Sequence, residues 1–192
     1  MATEEKETAV IATTLQGSVE SLFAAMSKVP FSQDPEISEK DIIEYNSRMR
    51  VFGLEKFNGP CFVASCSFYL SEENLKNHAA HGTVVIYLEE DMSTQLLKTL
   101  GYKDFNENDE ESVLNVCGEF CTALSEQFKN DLQKIGYKDF KISEPLKYKN
   151  SISEGVEFNY DQYKMHEISF FMWKQKVLVC DVTMAPIGAA GN

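Results

Sequence analysis

Between about residues 110 and 135 the chain carries one long helix with two unlike faces. Val113, Cys117, Phe120, Cys121, Leu124, Phe128, Leu132 and Ile135 gather on one side when each residue advances about 100°. Asn115, Glu119, Thr122 and Glu126 gather on the other. The first set is an apolar stripe that must lie on a core. The second is a polar strip facing away from it.

The rest of the chain can supply that core. It has 192 residues, of which 43 % are hydrophobic and 11 % aromatic, which suits one globular domain and not a disordered chain. No apolar run approaches the roughly 20 residues that a membrane helix needs. The opening, MATEEKETAV, is acidic and charged, unlike a secretory signal. Thirty acidic against eighteen basic residues give a net charge of −12, which opposes binding to nucleic acid or to anionic membranes. The one short basic cluster, Lys138, Lys141, Lys147 and Lys149, is interrupted by Asp139 and Glu144. Five cysteines in a chain without a signal point to a reducing, cytoplasmic setting with thiols used as small hydrophobes. Cys117 and Cys121 stand one turn apart, but on the apolar stripe, and none of the three histidines has metal-ligand spacing to a cysteine, so no metal is expected.

Periodicity lays out the order of elements. Residues 1–8 read as a frayed tail. A helix starts near Ile11 and carries Leu15, Val19, Leu22, Phe23 and Met26 at helical spacing. Pro30 and Pro35 punctuate the chain. A strand over 48–57, the turn Asn58-Gly59 and a partner strand over 61–70 follow as a hairpin. Ser71 can cap a short helix over 72–80. The β-branched run 83–88 reads as a strand, and Asp91 or Ser93 can cap the next helix, which stops at Gly101. Acidic residues 106–111 lead into the long helix, where negative charge complements the positive end of its dipole. After Gly136 the period changes to two. Strands are expected over 140–149, 155–160, 167–173 and 177–184, with Lys174-Gln175-Lys176 turning the last hairpin and an unstructured tail over 185–192. This order fits a single α+β domain over residues 1–192, a two-layer sandwich with helices on one face of a mainly antiparallel sheet.

Sequence motifs exclude several chemistries. There is no G-x-G-x-x-G, no G-x-x-x-x-G-K-[ST] and no G-x-S-x-G, which disfavours nucleotide-dependent enzymes and serine hydrolases. The polar strip is what remains. Glu119 and Thr122 are three residues apart and therefore neighbours, and Asn115 stands one turn before Glu119. A solvated helix face carries such residues by default.

The stretch 82–150 gives the strip a second meaning. It reads GTVVIYLEEDMSTQLLKTLGY, then DEESVLNVCGEFCTALSEQFKNDL, then KISEPLKYKN, and it resembles the CheX branch of the CheC/CheX/FliY chemotaxis phosphatases. That family shows a G-[ST]-hydrophobic strand, a helix, an acidic entry and a long helix bearing G-E-x-x-N. Gly118-Glu119-Phe120-Cys121-Thr122 falls on this motif, and Gly17-Ser18-Val19 resembles the family's opening helix. The likeness covers about two thirds of the chain.

The resemblance implies action on a phosphorylated CheY-type response regulator of bacterial two-component signalling, by hydrolysis of its aspartyl phosphate. Glu119 carries over as the carboxylate that docks on the receiver's lysine. The amide that positions water would stand at 122, where this chain has Thr122; Asn115 is the nearest amide. Ser112, Glu119 and Glu126 are the expected partner contacts. The receiver would supply Mg²⁺, so no cofactor of the chain's own is implied, and a homodimer is a further implication. Three readings follow: an active CheY-phosphate phosphatase, a receiver-binding module with weak or no hydrolysis because threonine is short and β-branched, and an assembly role in which the strip is only solvated.

Overall fold

The computed structural model describes residues 2–188, with side chains from residue 9 onward; the tail positions 1 and 189–192 lie outside the described residues. Helix α1 (Ala2–Met26) is followed by strands β1 (Glu36–Asp41), β2 (Glu44–Tyr45) and β3 (Arg48–Phe52) and the single turn α2 (Leu54–Phe57). Next come β4 (Cys61–Tyr69), α3 (Glu72–Lys76), β5 (Gly82–Glu89), α4 (Glu90–Thr99) and the long α5 (Glu110–Lys134). Strands β6 (Lys141–Ile142), β7 (Leu146–Lys149), β8 (Ser151–Val156), β9 (Lys164–Met172) and β10 (Gln175–Met184) complete the chain.

The main sheet runs β1-β9-β10-β5-β4, with β6 and β7 both paired to the outer edge of β4, and every pairing is antiparallel. One face carries Phe62, Ala64, Cys66 and Phe68 of β4, with Ile86, Phe170 and Leu178 from its neighbours; α1, α4 and α5 bury it. This is the expected α+β arrangement of helices on one sheet face. The apolar stripe of α5 lies in that interface: Val113, Cys117, Phe120, Cys121, Leu124, Phe128 and Leu132 are all buried, and Ile135 packs at its end. By length and composition residues 9–26 of α1 could cross a bilayer, a stretch the sequence reading passed over, but here Ile11, Leu15, Val19 and Phe23 are buried in the same core.

A third layer adds to the expected two. The opposite sheet face, with Val63, Val85, Tyr87 and Val179, is covered by the small sheet β2-β3-β8 through Met49, Val51, Ile152 and Val156. Burial on both faces explains why all nine residues of β4 are buried and why its sequence does not alternate.

Several local expectations are corrected. Residues 48–57 are not one strand paired to β4: β3 stops at Phe52 and pairs β2 and β8 instead. At Gly53 the chain crosses between sheets, where a Cβ would strike Cys61 Sγ and lie 2.8 Å from the Asn150 carbonyl, so only glycine fits. The strand expected over 140–149 is split into β6 and β7 around Pro145, which has no N–H for the ladder. β8 spans Ser151–Val156, earlier than expected, after a turn at Asn150 (φ 65°). The β9–β10 hairpin turns at Trp173 and Lys174 (φ 51° and 63°), because Gln175 is already paired with Met172; two left-handed residues suit the twist of a tight hairpin.

β1 had no sequence signal, since EISEKD does not alternate between apolar and polar and all six residues are exposed. Ser71 does cap α3, accepting from the Asn74 N–H at 3.1 Å, but that helix ends at Lys76. Neither Asp91 nor Ser93 caps α4; its first turn follows Glu89 directly, and the buried Ser93 hydroxyl donates to the Glu90 carbonyl at 2.8 Å. Helix α1 already begins at Ala2, and Ala185 is buried and hydrogen-bonded to His81 and Tyr137.

Candidate functional site

The exposed face of α5 holds every residue singled out in the sequence. Gly118 is buried in its middle because the segment between β6 and β7 crosses there: a Cβ on Gly118 would lie 3.3 Å from Lys147 Cδ and 3.4 Å from Pro145 Cγ. The strip therefore runs beside a strap of chain, with Asn115 and Glu119 exposed and Ser112 and Thr122 half-buried.

Each of these side chains has a distinct state. Among the described residues the Glu119 carboxylate makes no hydrogen bond or ion pair. Its nearest charge effect is on Tyr102, whose phenol is pushed up to about 12 by burial first and by Glu119 second. The Thr122 hydroxyl donates to the Gly118 carbonyl at 3.0 Å and lies within reach of the Cys66 thiol below, so it is turned back onto its own helix. Asn115 Oδ1 accepts from Lys147 Nζ. An ammonium has only donors, so the amide oxygen faces Lys147 and the NH₂ group is left for other partners. Ser112 Oγ accepts from the Asn106 N–H at 2.9 Å and ties down the helix entry. Glu126 pairs with Lys129 at 2.8 Å, which offsets the negative charge it would bring to a partner.

Helix geometry sets what these groups can do together. Asn115 and Thr122 are seven residues apart, so they share an azimuth to within about 20° and are separated by about 10.5 Å along the axis. A partner that reads a carboxylate and then an amide three residues later meets Glu119 with Thr122 in one register. Two turns earlier it meets Ser112 with Asn115. Each register thus offers one half of the pair: a carboxylate without an amide, or an amide without a carboxylate.

A second polar cluster lay outside the sequence reading. On the far face of the sheet, Lys56 Nζ lies 2.6 Å from Glu167 Oε2 and 2.8 Å from Asp181 Oδ2, and the Tyr87 hydroxyl donates to Asp181 at 2.8 Å. Lys56 and Asp181 are 125 positions apart, so no local pattern could have joined them. All five cysteines are buried and free, with Cys66 and Cys121 Sγ atoms 3.7 Å apart. Among the described residues no three His, Cys, Asp or Glu side chains group as a metal site requires.

No family model and no curated protein sequence matches the chain. Solved structures match its fold. The chemotaxis protein CheX from Vibrio vulnificus aligns over 90 % of this chain and 97 % of its own, at 13 % identity and a TM-score of 0.58. Thermotoga maritima FliY covers 94 % of this chain and 90 % of its own, at 16 % identity and a TM-score of 0.54. A Borrelia burgdorferi CheX–CheY–BeF₃–Mg²⁺ complex matches over 91 % of this chain and 97 % of that one, at 10 % identity and a TM-score of 0.51. The chain therefore has the fold of the CheC, CheX and FliY chemotaxis proteins.

Proposed function

We propose that this protein docks on a phosphorylated CheY-type receiver through the exposed face of α5, with Glu119 as the docking carboxylate, and that it hydrolyses the aspartyl phosphate slowly. The observation that carries the reading is Glu119: an exposed carboxylate without a partner among the described residues, at the centre of the strip. A structure of the same fold that contains CheX with CheY supports the choice of partner.

Docking joins Glu119 to the receiver's active-site lysine. Mg²⁺ stays with the receiver, and this chain brings no cofactor. Hydrolysis requires a water oxygen to attack phosphorus in line while the aspartyl oxygen–phosphorus bond breaks, leaving a carboxylate and inorganic phosphate. Catalysis of such a step is positioning and charge stabilisation. Thr122, bonded back to Gly118, contributes no amide, so water is held poorly and the rate is low. A second reading, efficient hydrolysis, rests on Asn115, an exposed amide whose oxygen is held by Lys147 and whose NH₂ group has no hydrogen bond among the described residues. It requires the partner to sit two turns nearer the helix start, where Ser112 replaces the carboxylate.

The test is a receiver phosphorylated with acetyl phosphate, followed for loss of the phosphoryl group with and without this protein. Glu119-dependent binding with little acceleration is the expected result. Strong acceleration that vanishes in Asn115→Ala would favour the second reading. No binding across the organism's receivers would overturn both. A homodimer is the accompanying proposal: β1 leaves a strand edge uncovered among the described residues, the kind of surface that edge-to-edge pairing covers. Light scattering on an eluting peak checks it, and a monomer mass at working concentration counts against it.

A further inference from the structure

We propose that Lys147 is a specificity residue that makes docking on α5 depend on the partner's phosphoryl group; this rests on the reading of α5 as a receiver-docking face. Three observations on the strap converge on it.

The first is placement. Because Gly118 has no side chain, the Lys147 stem lies across the helix there, and its ammonium reaches Asn115. Asn115 and Glu119 are one turn apart on α5, so the ammonium and the amide it bonds share the docking strip with the carboxylate.

The second is charge state. The other lysines of β6 and β7 are committed to carboxylates: Lys141 to Glu72 at 3.3 Å, and Lys149 to Glu110 and Glu90 at 2.7 and 2.8 Å. Lys147 is held by a neutral amide oxygen, so its full charge is available. An exposed bond of this kind yields readily to an anion, since charge-assisted hydrogen bonds to an oxyanion are about twice as strong as neutral ones.

The third is surroundings. Glu111 and Glu119 stand on the same helix without an ion pair among the described residues, in a chain of net charge −12. A phosphorylated carboxylate would be repelled by such a face unless a cation stood at the point of contact. Lys147 stands there. The NH₂ group of Asn115 is a second donor beside it, and two donors side by side suit the oxygens of a tetrahedral oxyanion.

The experiment measures Kd for the full chain and a CheY-type receiver by calorimetry, with and without beryllofluoride and Mg²⁺ as the stand-in for the phosphoryl group. The expected result is binding about tenfold tighter to the beryllofluoride form, the size of one charge-assisted hydrogen bond. Lys147→Met abolishes that preference, so the variant binds the two receiver forms with equal affinity. Lys147→Arg retains it, because a guanidinium also donates. Glu119→Ala weakens both forms alike. A preference that survives in Lys147→Met, or its absence in the wild-type chain while Glu119-dependent binding persists, overturns the assignment and leaves the docking reading standing. Failure of both receiver forms to bind overturns the docking reading and this assignment with it. Circular dichroism confirms that each variant folds.

Discussion

Glu119 and Thr122 differ less in exposure than in where their polar atoms are directed. The carboxylate extends from α5 toward solvent, while the hydroxyl closes a bond to Gly118 within its own helix. Under the proposed function, this asymmetry would separate docking from catalysis, and the two can be tested separately. Glu119→Ala is expected to weaken receiver binding by about 2 kcal/mol or more, as removal of one partner of a desolvated charge pair does, read by titration calorimetry. Thr122→Asn exchanges two residues of similar helix propensity and should change stability by less than about 0.5 kcal/mol. It restores the missing amide, so phosphoryl loss from an acetyl-phosphate-labelled receiver should accelerate at least about tenfold, a modest share of what positioning can supply. No gain with binding intact would show that Thr122 is not at the water-positioning point. The identities of both residues were plain in the sequence. The back-bonding of Thr122 and the grip of Lys147 on Asn115 were not, because each depends on a rotamer or on a segment about thirty residues away.

The Lys56 clasp ties α2 to β9 and β10 of the main sheet. Burial alone would lower the Lys56 value, but Asp181 and Glu167 outweigh it and hold the ammonium above 10.5. Lys56→Met leaves two carboxylates facing each other, one of them 3 % exposed, and should cost about 3–5 kcal/mol in urea unfolding. Adding Asp181→Asn should recover part of this loss, because the buried charge is then gone. If the single variant loses less than about 1 kcal/mol, the clasp is not what holds α2 on the main sheet. Elements were legible where their pattern was autonomous: α5, α1, β5 and the β9–β10 hairpin each carry their own periodicity or turn. Elements whose form is imposed by neighbours were not. β1 is an exposed edge without alternation, and α2 is a single turn on the link from β3 to β4 that residues 48–57 do not announce.

Across the whole molecule, the buried His81 and the half-buried His166 give stability a defined pH dependence. Burial holds His81 below its ordinary 6.5, with Lys138 adding to the effect, and its ring packs 5.4 Å from that of Phe140. Burial likewise lowers His166, against the pull of Glu39. The folded state thus prefers neutral imidazole while the unfolded chain binds a proton near pH 6.5, so unfolding takes up protons. The contribution is complete above about pH 6.5 and declines as pH falls from there toward the folded value. Tm should therefore drop between about pH 7.5 and 5.5, and His81→Phe should flatten that drop in a fluorescence melt. Asp131 does not confuse this window. Bonds from Gln127, Lys134 and Ser18 overcome its burial and hold it below 3.8, so its loss comes at lower pH.

The sequence by itself determined the helix of two faces, its apolar stripe and the order of most strands, because hydrophobic periodicity is written locally and read over a few turns. It also placed Glu119 on the polar strip. Only the tertiary structure decided that the sheet is covered on both faces, that the strap crosses at Gly118, and that Lys147 bonds the Asn115 amide oxygen. Those facts come from residues far apart in the chain that meet only when the layers close, and contacts of that kind leave no period in the sequence.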